Sequence, residues 1–219
     1  MVILTNRKLS HYIPLMIRIY HFPRTRGFRV IWLCEELNIP YEVINIDFAP
    51  EYRFGKDYGK LNPLGKVPTL VDEETIMSES GAMLQYVLDK FGGGRLQPGT
   101  DESSRAAFLQ WCWFGEATFT RPISEIVNHK RNFPENPKQD VIDEMKKRCR
   151  ACMNVVEKEM EGKDYILGND FSAADIMIGY NLVPYTRYTE EVLSPNVASY
   201  FERLSSREAF KRAVEAEAK

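Results

Sequence analysis

The sequence predicts an α/β unit with a mixed sheet, in the order βαβ–ββα, followed by an all-α unit built as a helical bundle. Three observations predict it. Residues 17–47 pass from strand-like alternation to a helical stripe and back. Residues 67–91 read as a hairpin followed by a helix, and beyond Gly92-Gly93-Gly94 every periodic segment is helical.

The segment Ile17-Arg18-Ile19-Tyr20-His21-Phe22 alternates as a short strand, and Pro23-Arg24-Thr25-Arg26-Gly27 is a turn. From Phe28 an apolar stripe at helical spacing runs through Ile31, Cys34 and Leu37, and Asn38 and Pro40 end it. Tyr41 to Asp47 is a second strand, so a right-handed parallel crossover is expected. Residues 48–65, rich in Gly, Pro and Tyr, read as loop with at most one irregular helix. Val67 to Val71 and Thr75 to Met77 make a hairpin around Asp72-Glu73-Glu74, and a helix runs from Gly81 to Phe91. Later helices are expected over about 101–119, 123–131, 138–161, 172–184 and 196–215, with Pro122 ending or kinking its helix. The domain boundaries follow: residues 1–15 as a loose, poorly ordered leader, 16–92 as the α/β unit, 93–100 as linker and 101–219 as the helical unit.

Composition excludes several classes. The 219 residues are 44% hydrophobic and 27% charged, as in an ordinary globular protein. With 29 basic and 31 acidic residues, nothing argues for nucleic acid or an anionic membrane as partner. No apolar run reaches the roughly 20 residues needed to cross a bilayer, and residues 1–15 lack the pattern of a secretory signal. Four scattered cysteines form no disulfide framework and point to a reducing cytoplasm. Cys149-Arg150-Ala151-Cys152 has redox spacing, but it falls inside a long helix and has no second Cys/His pair to complete a zinc site. It reads as two packed thiols, with no metal expected.

Two short motifs carry chemistry. Val67-Pro68 opens a strand; alone it reads as a trans edge proline, whereas a cis bond would turn the chain and leave the Val67 amide and carbonyl open to an extended ligand. Glu79-Ser80 stands at a helix N-terminus, where it serves either as a plain cap or as a cradle for an anion, with Glu79 accepting from an ammonium group. Ser172 and Asp175 have the spacing of a capping box, with Phe171 and Ile176 as its hydrophobic staple, which is a structural device.

These segments bring a resemblance into view. Arg29-Val30-Ile31-Trp32-Leu33-Cys34-Glu35-Glu36-Leu37 with Pro40-Tyr41, Leu61-Asn62-Pro63-Leu64-Gly65-Lys66-Val67-Pro68-Thr69-Leu70, Glu79-Ser80 and Phe171-Ser172-Ala173-Ala174-Asp175-Ile176 stand in that order. The chain resembles the cytosolic, bacterial-type glutathione transferases. The resemblance implies a thioredoxin-like first unit and a cis bond before Pro68. It also implies that Lys66, Val67, Pro68, Glu79 and Ser80 hold glutathione, and that the protein works as a homodimer. The implied activity is attack of the glutathione thiolate on a small hydrophobic electrophile or a peroxide, as in detoxification. A glutathione-dependent lyase, isomerase or ether-cleaving enzyme, and a non-catalytic binding protein of the same fold, are the alternatives.

The resemblance also directs attention to the turn before the first helix, where relatives carry a serine near the glutathione sulfur. Counting back from Arg29 places Thr25 there, as a threonine in place of serine. Arg24 and Arg26 flank it, and Arg24 takes that place if the turn is shifted; Thr25 as a simple helix cap is the other reading. A thiol ionises near ~8.5, so a two-unit reduction needs about 2.7 kcal/mol. One hydrogen bond to a charged group supplies about 1.5–3 kcal/mol. Arg24, Arg26 and Arg29 concentrate positive charge around this point. Cys34 lies within the first helix, so no cysteine nucleophile stands at the turn. Trp113, Phe114 and Tyr185 are the residues expected to line a hydrophobic substrate pocket in the helical unit.

Overall fold

A computed structural model describes residues 16–218. The expected leader, residues 1–15, therefore lies outside the described residues. The first unit is β1 (Ile17–His21), α1 (Gly27–Leu37), β2 (Tyr41–Asn45), α2 (Pro50–Arg53), α3 (Tyr58–Leu61), β3 (Thr69–Asp72), β4 (Thr75–Met77) and α4 (Ser80–Phe91). The four-stranded sheet has the order β2-β1-β3-β4; β1 pairs parallel with β2 and antiparallel with β3, which pairs antiparallel with β4. This is the thioredoxin-like mixed sheet, with β3 buried throughout, β1 buried at Ile17, Ile19 and His21, and the edges partly exposed.

Alternation along β1 decides the two faces. Ile17 and Ile19 enter the main core with Leu70, α1 and α4. On the other face Tyr20 packs with Ile46, Tyr58 and Val67, under α2 and α3. Residues 48–65 thus hold two short helices where one irregular helix at most was expected.

The helical unit is α5 (Ser104–Trp113), α6 (Thr120–Asn132), α7 (Gln139–Glu159), α8 (Ala173–Thr189), α9 (Pro195–Ser206) and α10 (Glu208–Glu217). Three boundaries differ from expectation. First, α5 and α6 form one continuous rod joined by a wide π-helical turn, Phe114–Phe119. Pro122 lies in the first turn of α6, directly after the wide turn, and does not end the rod. The wide turn frees the Gly115 carbonyl, which accepts from Thr120 Oγ1 at 2.7 Å and Asn181 Nδ2 at 2.7 Å. A Cβ on Gly115 would lie 2.9 Å from the Met177 carbonyl, so the glycine permits α8 to approach. Second, α8 continues through Pro184 to Thr189. Third, the segment 196–215 is broken at Arg207, whose backbone is extended.

The two units share one core. α1 lies between the sheet and α8 and α10, so Val30, Ile31, Trp32, Leu33 and Cys34 are all fully buried, where the sequence showed only a stripe. Trp32 meets Phe210 edge-on at 4.9 Å and Phe171 at 5.9 Å. Asp175, fully buried, accepts from the Ser172 and Ile166 N–H groups and from Tyr200 Oη, at 2.7–2.8 Å. The capping box is present.

Candidate functional site at the first helix

The turn between β1 and α1 delivers Thr25 to the start of a helix. Its Oγ1 donates to the Phe22 carbonyl at 2.7 Å and lies 3.3 Å from His21 Nδ1. The Thr25 carbonyl accepts the Phe28 N–H at 3.1 Å, so the residue is wound into the helix start, next to unpaired amides and the positive end of the dipole. Arg24, at φ 66°, makes the turn left-handed.

The Val67–Pro68 bond is cis. Tyr58 Oη and Asn62 Nδ2 donate to the Lys66 carbonyl and fix the loop, while no described group pairs with the Val67 N–H or carbonyl. Glu79 has φ 71° and ψ 103°, a conformation disfavoured for any residue with a Cβ. Such strain is concentrated at functional sites. Arg26, Lys66, Val67, Pro68, Glu79 and Ser80 line one narrow groove. It adjoins a cleft of about 470 Å³ that Thr25 and Arg24 line together with Lys66 and Val67. The sequence-predicted residues of the first unit are therefore brought together.

Two of them do something other than expected. The Ser80 hydroxyl is buried and faces inward: it accepts from Arg29 Nη1 at 3.1 Å and donates to Glu116 Oε2 at 3.3 Å. Arg29 is not part of a charge cluster around Thr25. It is fully buried, ion-paired with Glu116, bonded to Thr120 and Asn181, and stacked 4.6 Å from the Tyr180 ring, with its Nε unpartnered. Arg26 closes on Glu116 as well. Burial would raise the Glu116 carboxyl, but Arg29 and Arg26 outweigh it and hold it below the ordinary carboxylate range. Burial in turn lowers the Arg29 guanidinium, with Glu116 opposing the shift.

The residues expected to line a pocket in the helical unit do not line this cleft. Trp113 is 66% exposed on the outside of α5. Phe114 packs in the core against Trp111 and Phe119, and Tyr185 is buried with its hydroxyl on Glu191 at 2.7 Å. Tyr180, Pro184 and Tyr188 of α8 face the cleft, at helical spacing, opposite Ile123 and Val127 of α6. Tyr185 lies at another phase of α8 and turns away from this cleft.

The cleft also holds Arg24, Arg26, Arg53, Lys66 and Arg131 and, among the described residues, no carboxylate, on a chain whose formal net charge is −2. Glu116, which anchors Arg26 and Arg29, carried no local motif; it is reached only when α5 and α6 are joined by the wide turn. Cys149 and Cys152 are buried in the helical unit, and burial pushes the Cys149 thiol up to about 12.

A mixed four-stranded sheet with a cis-proline loop facing the N-terminus of its first helix, fused to a helical bundle, defines a two-unit thioredoxin-like class. The N-terminal domain of glutathione S-transferases matches residues 16–89, and the C-terminal domain of the same proteins matches residues 139–203, together well over half the chain. The chain belongs to the glutathione S-transferase family. It is 26% identical to glutathione S-transferase 3 of Schizosaccharomyces pombe, over 91% of this chain and 87% of that protein. It is equally 26% identical to the disulfide-bond oxidoreductase YfcG of Escherichia coli, over 91% of this chain and 94% of that protein. A glutathione transferase from Burkholderia graminis, whose crystal structure has two glutathione molecules bound per subunit, superposes with a TM-score of 0.83 at 26% identity, covering 93% of this chain and 89% of that one.

Proposed function

We propose that the protein binds glutathione in the groove between Val67 and Glu79 and activates its thiol at Thr25, as a glutathione transferase. The observation that carries this reading is the meeting, in one groove and its adjoining cleft, of the Thr25 hydroxyl, the unpaired Val67 backbone and the start of α4 at Glu79. In this pose the Val67 N–H and carbonyl pair with the cysteinyl residue, and the amides opening α4 receive the γ-glutamyl carboxylate. Glu79 accepts from the γ-glutamyl ammonium. Ser80 contributes its backbone and fixes Arg29 with its hydroxyl. The Thr25 hydroxyl and the dipole of α1 favour the thiolate, and positioning against the second substrate does the rest.

The cleft supports a second substrate that is apolar on one side and anionic on the other. Tyr180, Tyr188, Ile123 and Val127 supply the apolar wall, and Arg24, Lys66 and Arg131 supply positive charge. The same observation favours a second reading, reduction of a glutathione-containing disulfide, in which the other glutathione lies in this cleft. The similarity to YfcG and to the two-glutathione structure supports it.

The unit that works is a homodimer on this reading, and the four free cysteines suit a reducing compartment such as the cytoplasm. Among the described residues no helix is long and apolar enough to cross a membrane. A thermal-shift titration with glutathione is the first test: millimolar ligand should raise the melting temperature, and no shift would leave a non-catalytic relative. A panel of neutral electrophiles, anionic electrophiles, peroxides and glutathionylated disulfides then separates the two enzyme readings. Sedimentation giving only a monomer would refute the dimer.

A further inference from the structure

Thr25 is the visible end of a longer chain of groups. His21, the last residue of β1, is fully buried beneath the turn. Its Nδ1 lies 3.3 Å from Thr25 Oγ1, and its Nε2 lies 3.1 Å from Glu217 Oε2, on the last turn of α10. The same carboxylate oxygen accepts the Arg24 N–H at 3.1 Å, so α10 clamps the turn at two points. The ring is held from the other side by α1: a Cβ on Gly27 would stand 2.3 Å from Nδ1. Among the described residues, Glu217 is the one charged group within hydrogen-bond reach of the His21 ring. Asn45 of β2 stands opposite His21 in the sheet.

We propose that Thr25, His21 and Glu217 form a hydroxyl–imidazole–carboxylate chain that takes up the proton of the bound thiol. The inference rests on the glutathione reading above. Glu217 accepts from Nε2 and so keeps a proton there, which turns the acceptor nitrogen, Nδ1, toward Thr25. When the thiol docks against Oγ1, the S–H bond breaks and its electron pair stays on sulfur. The proton goes to Thr25 Oγ1 while the threonine's own proton passes to His21 Nδ1. The products are a thiolate, an intact Thr25 hydroxyl donating to it, and an imidazolium balanced by the Glu217 carboxylate. Thr25 then accepts from Nδ1–H, which strengthens it as a donor to sulfur. Thr25 Oγ1 donates to the Phe22 carbonyl, and a rotation about the C–O bond redirects its proton to His21 Nδ1. The 3.3 Å separation is within the looseness such contacts show before substrate binds. His21 and Glu217 thus act through Thr25, as positioning and proton-accepting partners.

The test is Glu217→Gln, which keeps the size and an acceptor oxygen for Nε2–H and removes the charge. Glutathione affinity is measured by calorimetry, and ionisation of the bound thiol by its thiolate absorbance across pH. The expected result is affinity within about twofold of wild type, with the pH of half-ionisation raised by roughly one unit or more, a tenfold loss of thiolate. His21→Asn should give a similar rise, and the double variant should rise no further than the single ones. A purely structural role would change affinity or melting temperature and leave the ionisation pH in place. Wild-type ionisation behaviour in Glu217→Gln, or additive shifts in the double variant, would overturn the chain while leaving the glutathione reading intact. A wild-type protein that bound no glutathione would overturn both.

Discussion

Glu116→Ala tests how much the buried ion pair between the two units adds to their shared core. The substitution leaves Arg29 in place, with a side chain that is 0% exposed and an Nε that already lacks a partner. What then hydrogen-bonds the guanidinium is neutral (Ser80, Thr120, Asn181 and the Gly115 carbonyl), and Arg26, which shared Glu116, is left as a second uncompensated positive charge beside it. Removing one member of a buried pair costs about 3–5 kcal/mol, because the other charge stays desolvated. Total stabilities are about 5–15 kcal/mol, so the loss is a large share. At about 2–4 °C per kcal/mol for a protein of this length, the melting temperature should fall by roughly 6–20 °C. Thermal unfolding followed by circular dichroism measures it. Arg29→Met added to Glu116→Ala should recover part of the loss, since the stranded charge is then gone. The acid side has a definite sign. The Glu116 carboxyl is held below the ordinary range once Arg29 and Arg26 outweigh burial. Its contribution is therefore complete at neutral pH and lost as pH falls through that lowered value. Glu116→Ala melting within about 2 °C of wild type at neutral pH, or a double variant additive with both singles, would refute the argument.

Three further outcomes are expected. Thr25→Ala should raise the pH at which bound glutathione ionises by about one to two units, from about 1.5–3 kcal/mol for the lost hydrogen bond; Thr25→Ser should restore it, and an unchanged absorbance titration counts against a thiolate role. Asp175→Ala leaves the Ile166 and Ser172 N–H groups and the Tyr200 hydroxyl buried without an acceptor; at about 1–3 kcal/mol each, the variant should lose at least ~3 kcal/mol in urea unfolding or fail to accumulate folded. Cys149, pushed up to about 12 by burial, should resist thiol reagents at pH 8 in the native protein and react on unfolding; rapid native labelling would contradict its place in the core.

Local pattern made much of the fold legible. Alternation over Ile17–His21, the helical stripe from Phe28 and the Asp72-Glu73-Glu74 hairpin each depend on neighbours in sequence, and each stands in the structure within a few residues of its expected place. Ser172 and Asp175 were readable for the same reason, because a helix cap is closed within four residues. The joins between helices were less legible. Pro122 reads as a breaker, yet the rod runs on through it after the wide turn at Phe114–Phe119, whose Gly115 carbonyl is held by Asn181 and Thr120. The break at Arg207 depends likewise on partners far away in the chain, since its guanidinium reaches Glu36 of α1.

The candidate site divides in the same way. Thr25, Val67, Pro68 and Glu79 stand out by type and position only as a hydroxyl before a helix, a proline opening a strand and a carboxylate before a second helix; their role as one site came from the family resemblance. The charge of Arg29 was visible, but its role was not: a guanidinium among solvated residues and one locked against Glu116 have the same sequence. The sequence by itself determined the order of the elements and the two-unit plan, because those follow from periodicity and capping over a few residues; the groove residues of the first unit came from the family resemblance. Only the tertiary structure decided that Arg29 pairs with Glu116, that Tyr180 and Tyr188 rather than Tyr185 face the cleft, and that Glu217 meets His21 across 196 residues. Those contacts depend on how helices are phased and docked against one another, and packing of the whole core sets that.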